Sequence, residues 1–198
     1  MTFNPDESQK HALLTWYNND NPLHFEPRHP VIALAGEAGE LLDLFKKNEY
    51  KPNFSWWKCK VCGFMPAEKR RSEVDYFAYT CMNDAVHTPL ILDELGDYSY
   101  YLRILAYQKG VSFEELCECG YIPGYKLDML LAMLNEHSAK ALRDYIEIGM
   151  KPPRTILEFL SRLFLSVLVG LDTTLQTVLD LNYKKLNSEP SNHGWHNA

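Results

Sequence analysis

Four acidic residues stand where an apolar helix face should run. In "HPVIALAGEAGELLDLFK" (29–46), Glu37 and Glu40 are three residues apart, a spacing that puts both on one side of a helix. Leu34, Leu41 and Leu44 lie on that side too, so the carboxylates interrupt a stripe that ought to face a core. "PLILDELGDYSYYLRILAY" (89–107) repeats the anomaly. There Glu94 and Asp97 lie on or beside the stripe of Ile91, Leu95, Tyr98, Leu102 and Leu105. Inward carboxylates are costly unless something positive meets them. Two such helices, facing one another, would present four hard oxygen ligands to a shared point. Such a set suits Mg²⁺ or Mn²⁺, which in turn recruit substrate phosphates. The plainer alternative is a rim of solvated acids paired with lysine and arginine.

A second candidate centre lies between the acidic pairs. Cys59-x-x-Cys62-Gly63, in "WKCKVCGF", has the shape of a zinc knuckle: two thiolates on one tight turn, with a glycine to relax the backbone. Cys81 follows after eighteen intervening residues. Asp84 stands where a second Cys-x-x-Cys would place its last ligand, and His87 is the commoner ligand type. A structural Zn²⁺ held by Cys59, Cys62, Cys81 and His87, with Asp84 as the alternative fourth ligand, would staple a segment too polar to fold alone. Cys119 is a further fourth ligand if the fold brings it back. Without zinc, these are reduced packing or surface thiols.

The elements that must position these groups are helical. Apolar periodicity predicts helices over 7–18, 30–47, 89–109, 128–148, 155–170 and 173–187, and Ser112 with Glu115 offers a capping box for a short helix between. Residues 48–88 break the pattern with Pro52, Pro66, aromatics and three cysteines, and read as an irregular insert. The expected organisation is an all-α bundle: a first unit over 1–119 carrying the insert, a linker at 120–127, a second helical unit over 128–187, and a loose tail over 188–198.

Composition bounds the function classes. At 46% hydrophobic and 23% charged residues the chain is ordinary for a globular protein. Its net charge of −6, without a long basic run, argues against extended nucleic-acid binding. "MTFNPDESQK" lacks the basic and apolar regions of a secretory signal, and "ILEFLSRLFLSVLVGL" contains Glu158 and Arg162 and is short for a bilayer. The expectation is a cytoplasmic protein with no membrane partner, whose cysteines are thiols or metal ligands sooner than disulfides.

"EAGE" followed by "ELGD" resembles the Glu-x-x-Glu … Glu-x-x-Asp signature of the MazG-like all-α nucleoside triphosphate pyrophosphohydrolases, a group that includes dCTP pyrophosphatase and dimeric dUTPase. The flanks are similar as well: "PRHPVIALAGEAGELLDLFK" to the first acidic helix of that group and "ILDELGDYSYYLRILAYQKGVSFEEL" to the second. "NYKKLN" resembles its terminal Asn-x-x-Lys element. The resemblance implies hydrolysis of a nucleoside triphosphate to the monophosphate and pyrophosphate. It implies that Glu37, Glu40, Glu94 and Asp97 bind Mg²⁺ and supply the catalytic carboxylates, and that Asn182 and Lys185 hold phosphate oxygens. By loose position, His24, Phe25, Trp56 and Trp57 are candidates for contacts to the base, or else ordinary packing.

Two features depart from that group. The insert makes the connection from Glu40 to Glu94 53 residues long, far more than the usual loop. The second half also echoes the first. Aligning "ALAGEAGELLDLF" with "AMLNEHSAKALRD" sets Ala33 on Ala132, Glu37 on Glu136 and Glu40 on Ala139, while "ILDELGD" on "ILEFLSR" replaces Glu94 by Phe159 and Asp97 by Arg162. This predicts a fused, degenerate unit that packs where a second subunit packs in the dimeric relatives, in a pseudo-dimeric monomer or a homodimer. Lys140, Arg143 or Arg162 would then face the phosphates, or remain surface charges. Two other readings stay open. One is a non-catalytic scaffold that binds nucleic acid or a protein through the zinc insert. The other is a hydrolase of a related phosphate compound, such as an alarmone.

Overall fold

A computed structural model of the chain describes residues 4–17, 27–59, 62–63 and 88–188. The described residues are all-helical, as the periodicity predicts, and contain no strand. The helices are α1 (Pro5–Tyr17), α2 (Arg28–Tyr50), α3 (Leu90–Gln108), α4 (Phe113–Glu118), α5 (Leu127–Ile148), α6 (Arg154–Gly170) and α7 (Leu175–Ser188). None is long and apolar enough to cross a membrane.

The starts of three helices are written in proline. Pro27, Pro89 and Pro153 precede α2, α3 and α6, where a missing N–H costs nothing because the first turn has no acceptor to offer it. The short α4 is capped instead by Ser112, whose Oγ accepts from the N–H groups of Glu114 (3.1 Å) and Glu115 (3.4 Å). Asp6 on α1 reinforces that cap, accepting the Ser112 hydroxyl proton at 2.6 Å. At the far end of α5, Gly149 adopts φ 64°, and the N–H groups of Gly149 and Met150 close on Tyr145 and Asp144. That left-handed turn reverses the chain toward α6.

α3 is the centre of the bundle. It packs against α1, α2, α4, α6 and α7, and residues on nearly every side of it are buried, from Ile91 to Ala106. α2 offers a single stripe, Val31, Leu34, Ala38, Leu41 and Leu44, and lies between α3 and α5. α5 in turn packs on α6. The result is two helical hairpins, α2–α3 and α5–α6, joined through α2 and α5, with Tyr98 of α3 stacked on Phe164 of α6 at the centre (5.7 Å between centroids). Its hydroxyl meets Ser138 Oγ at 3.1 Å, so burial leaves no polar atom unmatched there.

The start of the insert belongs to this core. Trp56 and Trp57 are 6% and 5% exposed, and Trp56 lies against Phe45. The carbonyls of Trp56 and Lys58 accept from Ile91 and Leu90, tying the segment to the first turn of α3.

Candidate metal centre

The acids of α2 and α3 converge. Glu37, Glu94 and Asp97 each present one carboxylate oxygen within 4.8 Å of the others. Helix geometry accounts for this. Glu37 lies between the buried Leu34 and Leu41 on α2, and Glu94 and Asp97 flank the buried Leu95 and Tyr98 on α3, so packing the two stripes brings the acids edge to edge. All three are half-buried, whereas Glu40, one turn further along α2, is exposed and lies outside the converging set, although its charge acts on Glu37 and Glu94.

Their protonation behaviour reports an excess of negative charge. Burial pushes the Glu94 carboxyl up to about 8, and the charges of Glu40, Asp93, Glu37 and Asp97 add to the effect. Glu37 is pushed up to about 7 by burial, then by Asp97 and Glu40, even though Glu94 lies within hydrogen-bonding reach. The Lys185 ammonium beside Asp97 lowers the Glu37 carboxyl only in part. Carboxylate oxygens at this spacing fit Mg²⁺ or Mn²⁺, and no thiol or imidazole stands among them to favour zinc.

The expected phosphate ligands are tied to the acids from α7. Lys185 Nζ lies 2.6 Å from Asp97 Oδ2 and 3.1 Å from Asp93 Oδ1. Burial alone would lower the ammonium pKa, but Asp97 and Asp93 outweigh it and the net shift is upward, so Lys185 stays charged. Asn182 is 3% exposed and donates from Nδ2 to Asp97 Oδ1 at 3.4 Å. Gly96 makes room for it: a Cβ there would meet Asn182 Cβ and Nδ2 at 3.2 Å.

Two charged residues here carry no role in the motif reading. Asp93 is 7% exposed and shares Lys185 with Asp97, one turn along α3. Arg103 is 2% exposed and reaches Asn182 Oδ1 at 2.6 Å. Burial pulls its guanidinium down to about 10, which leaves it charged at neutral pH. An arginine inside "YYLRILA" is a legible signal of an internal charge, but its partner lies 79 residues away.

The other candidates are only partly in view. Trp56 and Trp57 sit in the core, where little ring surface is left for a ligand. His24 and Phe25 lie outside the described residues, as do Cys81, Asp84 and His87. Of the knuckle, Cys59 is buried and Cys62 half-buried, and Gly63 has φ 71° with its N–H on Cys59 O at 2.9 Å. Cys119, at the end of α4, is exposed and its Sγ lies 3.6 Å from Glu115 O.

The second hairpin carries the same burial pattern, one residue out of step with the pairing that the residue identities suggest. Residues 31–42 and 131–142 run through buried, half-buried and exposed in the same order, differing only at Gly39 against Ala139. Residues 94–100 and 159–165 likewise match position for position. In burial, Glu37 lines up with His137 and Glu40 with Lys140. Contacts agree: where Glu37 meets Glu94, the rings of His137 and Phe159 meet edge to face at 4.7 Å. The identities Ala33–Ala132 and Glu37–Glu136 follow residue type, whereas this pairing follows side-chain burial. Of the second unit's cations, Lys140 pairs with Asp144 at 2.6 Å and Arg162 is half-buried.

Comparison with protein families, with curated proteins and with solved structures gives no match.

Proposed function

We propose that the chain is a Mg²⁺-dependent (or Mn²⁺-dependent) nucleotide pyrophosphohydrolase of the MazG-like kind, cleaving a nucleoside triphosphate to the monophosphate and pyrophosphate in the cytoplasm. The observation that carries this reading is the convergence of Glu37, Glu94 and Asp97 within 4.8 Å, on two helices whose sequences resemble that group. Glu37, Glu94 and Asp97 would hold the cation, with Glu40 as the fourth acid of the motif. A bound divalent ion would neutralise the triphosphate and lower the pKa of the attacking water.

The chain's own groups divide the remaining work. In the reaction a water oxygen bonds to the α-phosphorus, the bond from that phosphorus to the bridging oxygen breaks, and pyrophosphate departs. One carboxylate of the set would take the proton that the water loses. Lys185 orients Asp97 and places an ammonium beside the phosphates. Structural zinc in the insert, on Cys59 and Cys62 with Cys81 and His87 or Asp84, belongs to this proposal. So does the role of α5–α6 as a built-in second subunit.

The test is pyrophosphate release from a panel of all ribo- and deoxyribonucleoside triphosphates with Mg²⁺, for the wild type, Glu40→Gln and Glu94→Gln. Turnover of one or a few nucleotides is expected, falling at least about 10²-fold in Glu94→Gln, the scale of losing one preorganised electrostatic group. Turnover of none, or turnover indifferent to both substitutions, would overturn the reading in favour of a binding scaffold.

A further inference from the structure

We propose that Arg103 is a positioning residue for the metal centre, acting through Asn182 to set the orientation of the Asp97 carboxylate. The inference rests on the metal-centre reading above and names a component that the acidic motif does not contain.

Arg103 is an internal cation with a closed set of partners. Its Nε donates to Ser99 O (3.1 Å) and its Nη1 to Ser8 O (2.9 Å). Nη2 lies 3.4 Å from Ser99 Oγ and 2.6 Å from Asn182 Oδ1. These four acceptors are uncharged. A buried guanidinium satisfied in this way is costly, and an apolar side chain of similar volume would fill the space with less penalty. Clamping α1 to α3 does not require it, since Gln9 already does so through Arg103 O, Val111 O and the Phe113 N–H.

What the guanidinium supplies here is polarity. A guanidinium has donors and no acceptor, so the Asn182 amide must turn its oxygen to Arg103. Its NH₂ group then faces α3, where it reaches Asp97 Oδ1. Asp97 is thus gripped on both oxygens, by an amide N–H on Oδ1 and by the Lys185 ammonium on Oδ2. Both grips come from α7, one turn apart. A carboxylate held at both oxygens cannot rotate away, which fixes the one vertex of the cluster that also bears the ion pair. Partners of metal ligands tune affinity in this way without touching the ion.

The probe is Mn²⁺ alone, titrated by electron paramagnetic resonance into the full chain without nucleotide. Arg103→Met and Asn182→Ala should each weaken Mn²⁺ about tenfold or more, the range for a lost partner of a metal ligand. The double variant should be no weaker than the worse single, because both remove one path. Gln9→Ala, which removes the bonds to Arg103 O, Val111 O and the Phe113 N–H but none of the guanidinium's, should lower Tm and leave Mn²⁺ affinity unchanged. If Arg103→Met does not fold, Arg103→Gln takes its place; its amide can accept as well as donate, so it no longer fixes the Asn182 amide and must also weaken Mn²⁺. Wild-type affinity in the Arg103 variant, or additive losses in the double variant, would overturn the positioning role and leave the metal centre standing. Failure of the wild type to bind Mn²⁺ would overturn both.

Discussion

The α2–α3 and α5–α6 hairpins share one burial pattern and fill its inner positions with opposite chemistry. Where the first places Glu37 against Glu94, the second places His137 against Phe159; where the first has Glu40 and Asp97, the second has Lys140 and Arg162. The aromatic pair of the second hairpin packs and needs nothing further. The acidic pair of the first cannot pack, and burial with mutual repulsion drives its protons up toward neutral pH. One bundle therefore contains both a seat closed by an aromatic pair and a seat lined by converging acids. With the same burial pattern, the second hairpin packs without acids at these positions.

The comparison breaks most visibly at the aromatic seat. Phe159→Ala removes half of a packed, half-buried pair and is expected to lower stability by about 2 kcal/mol, below the range for a fully buried phenylalanine. Glu94→Gln, at the matching position, is expected to raise Tm at pH 8 while it abolishes turnover, the signature of a site held against stability. Thermal melts of the two variants, side by side, check this. A loss of stability in Glu94→Gln comparable to that in Phe159→Ala would mean that the acids are structural.

Much of this contrast is legible in the sequence, because it depends on local spacing. The helices, and the acids that interrupt the stripes of α2 and α3, follow from periodicity alone. The register of α5 does not. Leucine periodicity tolerates a shift of one residue, and identities at Ala132 and Glu136 favour one pairing while burial at Leu134, Ser138 and Ala141 favours the other. The bridge from Arg103 through Asn182 to Asp97 is equally hidden, since it spans separations of 79 and 85 residues that only the packed bundle closes. Lys185 is visible as a motif residue, but its ion pair with Asp93 is not.

The contrast sharpens with pH. In the unfolded chain Glu37 and Glu94 titrate near their ordinary 4.5, and in the folded chain burial and neighbouring acids raise them to about 7 and about 8. The folded state therefore binds more protons than the unfolded state across that interval, and stability falls as pH rises through it. Without divalent ions, Tm is expected to decline by a few degrees between about pH 5 and pH 8, the scale on which ~1 kcal/mol registers in a chain of this size. The decline should be shallower in Glu94→Gln and in millimolar Mg²⁺. A slope equally steep in Glu94→Gln would place its origin outside the cluster.

The smallest effects are expected at Gly96 and Ser161, which hold the same place in the two hairpins. Ser161 Oγ donates to Leu116 O at 3.0 Å and docks α4. Ser161→Ala leaves that carbonyl unmatched, at about 1 kcal/mol of stability with no effect on turnover. Gly96→Ala does the reverse. The added methyl group gains helix propensity of about 1 kcal/mol, which offsets its pressure on Asn182, so Tm hardly changes. But at 3.2 Å the new Cβ displaces the Asn182 amide by a few tenths of an ångström from Asp97 Oδ1. Mn²⁺ affinity and turnover should fall together, by about threefold to tenfold, less than outright loss of the bridge. Equal positions would then separate cleanly, one reporting on stability and the other on the metal centre. If both substitutions changed only Tm, Asn182 would be a packing residue and the two hairpins would differ in their acids alone.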